Sequence, residues 1–328
     1  MMLLSRFWYL ALGLGVGALL FLLGLAQSEM NRAQRLAVSE GLNSDRQVVH
    51  WYLKEDARNR ASLLVKYAVN RELRALLQRS SVREQGLKAK ERDEARSALA
   101  KVQESIDKEM AFDALFAIDR RGRVVAHLGY PELDGQSDFE LGAHPLVADA
   151  LHGYIRDDTW LWNRLYRVVA RPVEYESGAA PAGAIVGARL IDDRFARLLS
   201  ARTGAAVAFY ADGSRSASGA PEGFSKSSLD QIVTDLPGLA EDEDYQKSGH
   251  SEVRDVGGML GVQYSRLSGE AYHLGAGFAV ARELSLLRTP FDFFQRADEL
   301  DKKNAKPLVA LVALAIVAFI GLLLSFFE

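Results

Sequence analysis

Cysteine is absent from all 328 residues. That absence removes disulfides, thiolate metal sites and cysteine nucleophiles together. A one-sided charge is missing too: Lys and Arg number 40, Asp and Glu 43, a formal net charge of −3. Without a basic excess, the electrostatic footprint of a nucleic-acid binder is missing, so no nucleic-acid partner is expected. The six histidines show no HExxH or comparable ligand spacing, no serine lies in GxSxG, and there is no P-loop. His144 and His152 stand two helical turns apart, a spacing that surface residues share. The acidic run Glu241 to Asp244 reads as a solvated loop. No enzymatic activity, cofactor or metal is expected.

What is present begins with two long uncharged runs. "FWYLALGLGVGALLFLLGLA", Phe7 to Ala26, is long enough at 1.5 Å per residue to cross a bilayer core of about 30 Å. Phe7, Trp8 and Tyr9 supply the aromatic cluster typical of an interface. A cleaved signal peptide is the alternative, with small residues at Gly24 and Ala26. The run exceeds the 7–15 residues of a signal core, which favours an uncleaved anchor. "PLVALVALAIVAFIGLLLSFF", Pro307 to Phe327, has no polar face and reads as a second transmembrane helix. Arg6 and the amino terminus favour a cytoplasmic start. Lys302, Lys303 and Lys306 argue the other way, but long loops translocate largely regardless of charge. The expectation is a membrane protein with a cytoplasmic start, residues 27–306 outside and a cytoplasmic end.

Between the spans the periodicity changes twice. Val49, Leu53, Ala57, Ala61, Leu64 and Ala68 recur at three and four residues, predicting a helix from about 28 to 78, and a second helix is expected over about Asp93 to Met110. "DALFAIDRRGRVVAHLG", Asp113 to Gly129, then reads as strand, tight turn with Gly122, strand. "HPLVADALHGY" is a short helix opened by Pro145. "DDTWLWNRLYRVVARPVEY" alternates like a single strand, "PAGAIVGARLI" is another, and Asp192 caps a closing helix. "AAVAFYADGSRSASG" repeats the hairpin about 90 residues later. "SSLDQIVTDLPG", "GGMLGVQYSRL" and "AYHLGAGFAVARELSLL" follow in the same order. Such ordered recurrence predicts two related α+β modules with antiparallel sheets, divided near Ser200 to Gly204.

This ordered set resembles the double Cache family of extracytoplasmic sensors, carried by "LFAIDRRGRVVA", "HPLVADALHG", "RVVARPV", "GAIVGARLIDDRFARLL" and "RTGAAVAFYADG". The resemblance implies two PAS-like modules on a long N-terminal helix, between two membrane spans. Its layout is a first transmembrane helix at 7–26, a helical stalk at 27–110 and a membrane-distal module at 111–203. A membrane-proximal module at 204–290, a linker helix at 291–306 and a second span at 307–327 follow. It further implies small-molecule binding in the distal module and signalling to a chemoreceptor, histidine-kinase or cyclic-nucleotide-enzyme output, with homodimerisation through stalk and spans. The family's amino-acid binders carry Arg and Trp two residues apart, then Tyr and Asp. Here Arg156 and Trp160 have three residues between them, and Arg189 stands where the Asp would fall, so amino-acid specificity does not carry over.

Trp160, Trp162, Arg164 and Tyr166 would share one face of a continuous strand. Aromatic walls with a guanidinium fork suit a small carboxylate or other anion; the rival reading makes Trp160 and Trp162 part of the core and leaves Arg164 on a rim. Arg189 points either into the same cavity or outward. A membrane-anchored envelope scaffold with degenerate Cache modules is the alternative function. Cysteines introduced at Ser214 and Ser225 should react with an impermeant thiol reagent in intact spheroplasts, and labelling only after lysis would place the domain in the cytoplasm.

Overall fold

The computed structural model describes residues 2–133, 139–176 and 178–286. The expected linker helix (291–306) and second span (307–327) lie outside the described residues. The chain divides into two compact units. One comprises Met1–Gly41, Gly257–Gly261 and the chain from Glu283 onward; within it Leu284 N donates to Met259 O at 2.6 Å. The other comprises Leu42–Val256 and Val262–Arg282 and holds nearly all of both modules.

Helix α1 runs Met2–Ala68 and contains a stretch long and apolar enough to cross a membrane. The apolar stripe anticipated on it is buried at Val49, Leu53, Ala57, Leu64 and Ala68. The helix does not reach residue 78. Asn70 is extended (φ −63°, ψ 119°), and its side chain accepts from Leu73 N, opening α2, Arg71–Val82. A local Asx cap thus ends a helix whose apolar stripe resumes nearby at Leu73, Leu76 and Leu77. Helix α3, Ala89–Glu104, is shorter than the second helix anticipated and buries Ala95, Ala98 and Leu99.

The first module contains β1 (Ala114–Asp119), β2 (Val124–Leu128), α4 (Pro145–Leu151), β3 (Arg156–Leu161), β4 (Leu165–Val173) and β5 (Gly183–Leu190). Its sheet is antiparallel throughout, in the order β2-β1-β5-β4-β3. Helix α5, Asp193–Thr203, starts at the anticipated Asp192 cap and stops at Gly204. The second module repeats the plan with β6 (Ala206–Ala211), β7 (Ser214–Gly219), α6 (Lys226–Thr234), α7 (Glu243–Ser248), β8 (Arg254–Val256), β9 (Leu260–Arg266) and β10 (Gly277–Glu283). Its order, β7-β6-β10-β9-β8, matches the first sheet strand for strand.

Both hairpins form as anticipated. Asp119 is fully buried; its carboxylate accepts from Arg121 N, Arg123 N and Ser80 Oγ. Gly122 has φ +86°, and a Cβ there would lie 2.5 Å from Gly142 Cα, so no other residue fits. At the second hairpin Asp212 and Gly213 are both left-handed (φ 49° and 67°), the backbone of a type I′ turn.

The first sheet is covered on both faces, which is why β1 reads as an unbroken apolar run. Leu115, Ala117, Val169 and Ile185 pack with Leu64, Tyr67, Leu73, Leu77 and Leu99 on the helical side. Phe116, Ile118, Val168, Val186 and Ala188 face the other way, toward Leu146, Val147 and Trp160.

Charge fixes the sheets to α1. Buried Asp56 accepts from Arg60 Nε at 3.0 Å and from Arg189 Nη1 at 2.5 Å. Arg60, 1% exposed, also donates to the carbonyls of Met110 and Ala111, the segment entering β1. Burial pulls the Arg60 guanidinium below its usual range, and the Asp56 charge pushes it back up. In the second module Arg282 of β10 holds Asp45 through two nitrogens and donates to Thr203 O. Removing one member of a buried pair leaves an uncompensated charge and typically costs about 3–5 kcal/mol. Asp56→Ala should lose stability on that scale in chemical denaturation, whereas Glu55→Ala, one residue away at the surface, should change it by less than about 0.5 kcal/mol.

Candidate functional site

The anticipated strand from Trp160 to Pro172 is two strands. β3 ends at Leu161, the chain turns through Trp162, Asn163 and Arg164, and β4 starts at Leu165. Trp162 N closes the turn on Arg164 O at 3.0 Å. The alternation continues through a turn that lacks Gly and Pro, which is why it reads as one strand. In the register Trp160 sits opposite Tyr166, so these two rings share the outer face, away from α1. Trp162 folds back over them, with centroids 5.2 Å from Trp160 and 5.5 Å from Tyr166. Phe116 and Tyr130 complete the cluster, Tyr130 lying 4.6 Å from Trp162.

Three of the five anticipated residues are therefore brought together. Arg164 is exposed, on the turn at the rim of the cluster. Arg189 is not part of the cluster. Its neighbours on β5, Ala188 and Leu190, face the aromatic side, so by strand alternation it faces α1, where it pairs with Asp56 and stacks on Phe195 at 4.3 Å. The cation in place of the family's Asp is a clamp to the helix.

Sequence reasoning missed Phe116 and Tyr130; it set the helix starting near His144 against the aromatic strand without naming His144 itself. His144 immediately precedes α4, and its ring lies 4.5 Å from Trp160 at 31°. Its Nδ1 meets Glu270 Oε2 of the second module at 2.6 Å. Glu270 N in turn donates to Asp158 Oδ1 at 2.9 Å. Burial raises the Asp158 carboxyl, and its backbone hydrogen bonds oppose that rise. The aromatic face is thus joined to the neighbouring module through His144 and Asp158. A helix beginning at a His-Pro pair was the signal available. Near the turn, Asn163 Nδ2 donates to Glu132 Oε1 at 2.6 Å. Burial, then the Glu132 charge, pushes the Tyr130 and Tyr166 hydroxyls up.

The corresponding face of the second module is filled. The Tyr210 hydroxyl lies 3.1 Å from that of Tyr245, and Tyr264 donates to Ile232 O at 2.8 Å. Burial raises Tyr210 well above the usual range. The acidic run is structural: Asp242 caps α7 and, with Asp235, receives Arg254.

No family model and no curated protein matches the chain. Solved structures do resemble it. The periplasmic domain of Vibrio cholerae LuxQ is 14% identical, with 74% of this chain and 99% of that one covered at a TM-score of 0.48. The sensor domain of the V. cholerae histidine kinase DctB is 15% identical over 79% and 98%, TM-score 0.43. The ligand-binding domain of the Campylobacter jejuni chemoreceptor Tlp3, in complex with 4-methylisoleucine, is 8% identical over 79% and 95%, TM-score 0.43. The two five-stranded sheets and the long helix agree with the two-module layout expected from the sequence.

Trp160 is 1% exposed. Trp160→Ala should cost about 3–5 kcal/mol as a large-to-small core change. Arg164→Ala should cost less than about 0.5 kcal/mol, since its side chain is exposed on a turn. Equal losses in denaturant unfolding would contradict this placement.

Proposed function

We propose that this chain is the extracytoplasmic sensing part of a membrane-anchored receptor in the bacterial cytoplasmic membrane. It binds a small molecule on the aromatic face of the first module and passes the change along α1. The observation that carries this reading is the duplication of one sheet on one helix, each copy attached through an arginine of its last strand to an aspartate of α1. A ligand that moves the first sheet acts on the same rod that continues into the apolar N-terminal segment. The role is non-enzymatic.

The ligand we favour is a small carboxylate or other anion. Trp162, Tyr166 and Tyr130 supply a flat apolar wall, and Arg164 supplies a fork at its edge. The chain pairs with a second copy through stalk and spans; Val48 and Trp51, exposed one turn apart on α1, are part of that face. The scaffold reading keeps one supporting observation, that the rings of the aromatic face already touch one another, Tyr130 against Trp162 and His144 against Trp160.

The full chain in detergent, screened by melting temperature against small carboxylates, amines and sugars, tests the proposal. A carboxylate should raise the melting temperature, and Arg164→Ala should weaken its binding about tenfold, equivalent to about 1.4 kcal/mol. Binding by carboxylates that is indifferent to both Arg164→Ala and Trp162→Ala contradicts the site. No shift from any compound contradicts sensing and favours the scaffold.

A further inference from the structure

A second cavity lies on the other side of the first sheet, between α1, the start of β3 and the end of β9. It has a volume of about 470 Å³, within the range of small-molecule sites. It shares no residue with the aromatic face: Arg167 and Thr159, opposite one another in the register, point away from Trp160 and Tyr166.

Its wall is strongly cationic. Lys54 and Arg58 enter from α1, Arg156 and Arg167 from the first sheet and Arg266 from the second, against one carboxylate, Asp157. Asp157 is already engaged by Arg167 Nη2. Arg58 pairs with Glu55 and Arg156 with Asp149, largely exposed contacts of 3.2 Å each, which water screens to little net worth. Lys54 forms no ion pair among the described residues. At the floor, Arg167 is 4% exposed and donates Nη1 to Thr159 Oγ1 at 3.0 Å, while its buried Nε has no partner. An anion in the cavity would meet the cations that Lys54, Arg58 and Arg156 bring to its wall. The geometry points to a binding site for a small anion carrying two or more negative charges, a polycarboxylate or a phosphoryl compound, held where the helix and both modules meet.

His50, also on the wall, agrees with this assignment. Burial, then the charges of Lys54, Arg46 and Arg167, lower its pKa. An anion neutralising those cations would raise it. The site stands independently of whether the aromatic face binds a ligand. Because its walls come from α1 and both sheets, occupancy would tie the three elements together.

The test is titration calorimetry of the full chain in detergent with citrate and with pyrophosphate, at constant ionic strength. One or both should bind saturably, and the stronger one assigns carboxylate or phosphoryl chemistry. Lys54→Gln should weaken binding about tenfold, as should Arg266→Gln, while Arg79→Gln, a surface arginine paired with Glu91, should leave it unchanged. Lys54 is exposed, so its replacement should leave the fold intact even if the Arg266 variant unfolds. Saturation should also move the His50 titration, followed by NMR, to higher pH. Absence of saturable binding by both anions, binding insensitive to Lys54→Gln, or a His50 titration unmoved by saturation would overturn the assignment.

Discussion

A buried carboxylate on a long helix must find positive partners or lose its charge, and Asp56 finds two. Arg60 comes from its own helix one turn on, and Arg189 from the last strand of the first sheet. Through Arg60 the same group reaches the carbonyls of Met110 and Ala111, so one cluster fixes the helix, the entry to β1 and the end of β5. Hydrophobic packing alone, being non-directional, would let the sheet slide along the apolar stripe of α1. The guanidinium forks set its position. Arg282 and Asp45 do the same for the second module eleven residues earlier on the helix, about 16 Å along its axis.

The duplication has left two scaffolds with different outer faces. In the first, Trp160, Trp162, Tyr166 and Tyr130 meet one another, with the exposed Arg164 at their rim. In the second, Tyr210, Tyr245 and Tyr264 spend their hydroxyls on one another and on the backbone. A face whose polar atoms are internally satisfied gains little from a ligand. This difference agrees with the proposed division of labour, binding by the first module and relay by the second, which His144 and Glu270 join.

Much of this was legible because it is local. Gly122 and Gly213 at the hairpin turns, the Asp192 cap and the recurrence of four elements in one order all follow from short-range chemistry, and they were enough to predict two antiparallel sheets. What was misread depended on direction. The alternation from Trp160 to Tyr166 continues through a turn with only Asn163 as a turn former, so a hairpin looked like a strand. Asn70 ends α1 with a single cap that the hydrophobic period does not register. Asp56 and Arg60, four apart on a helix, look like an ordinary solvated pair. Their burial depends on a strand more than a hundred residues away, the one that carries Arg189.

The Asp56–Arg189 contact holds the first sheet to the helix independently of the second. Hydrogen exchange of Arg189→Gln, followed by mass spectrometry against the parent chain, tests it most directly. Exchange should be faster in residues 54–68 and 183–191, with residues 206–219 as protected as before. Unchanged exchange over 183–191, or an equal loss of protection across both modules, would contradict it.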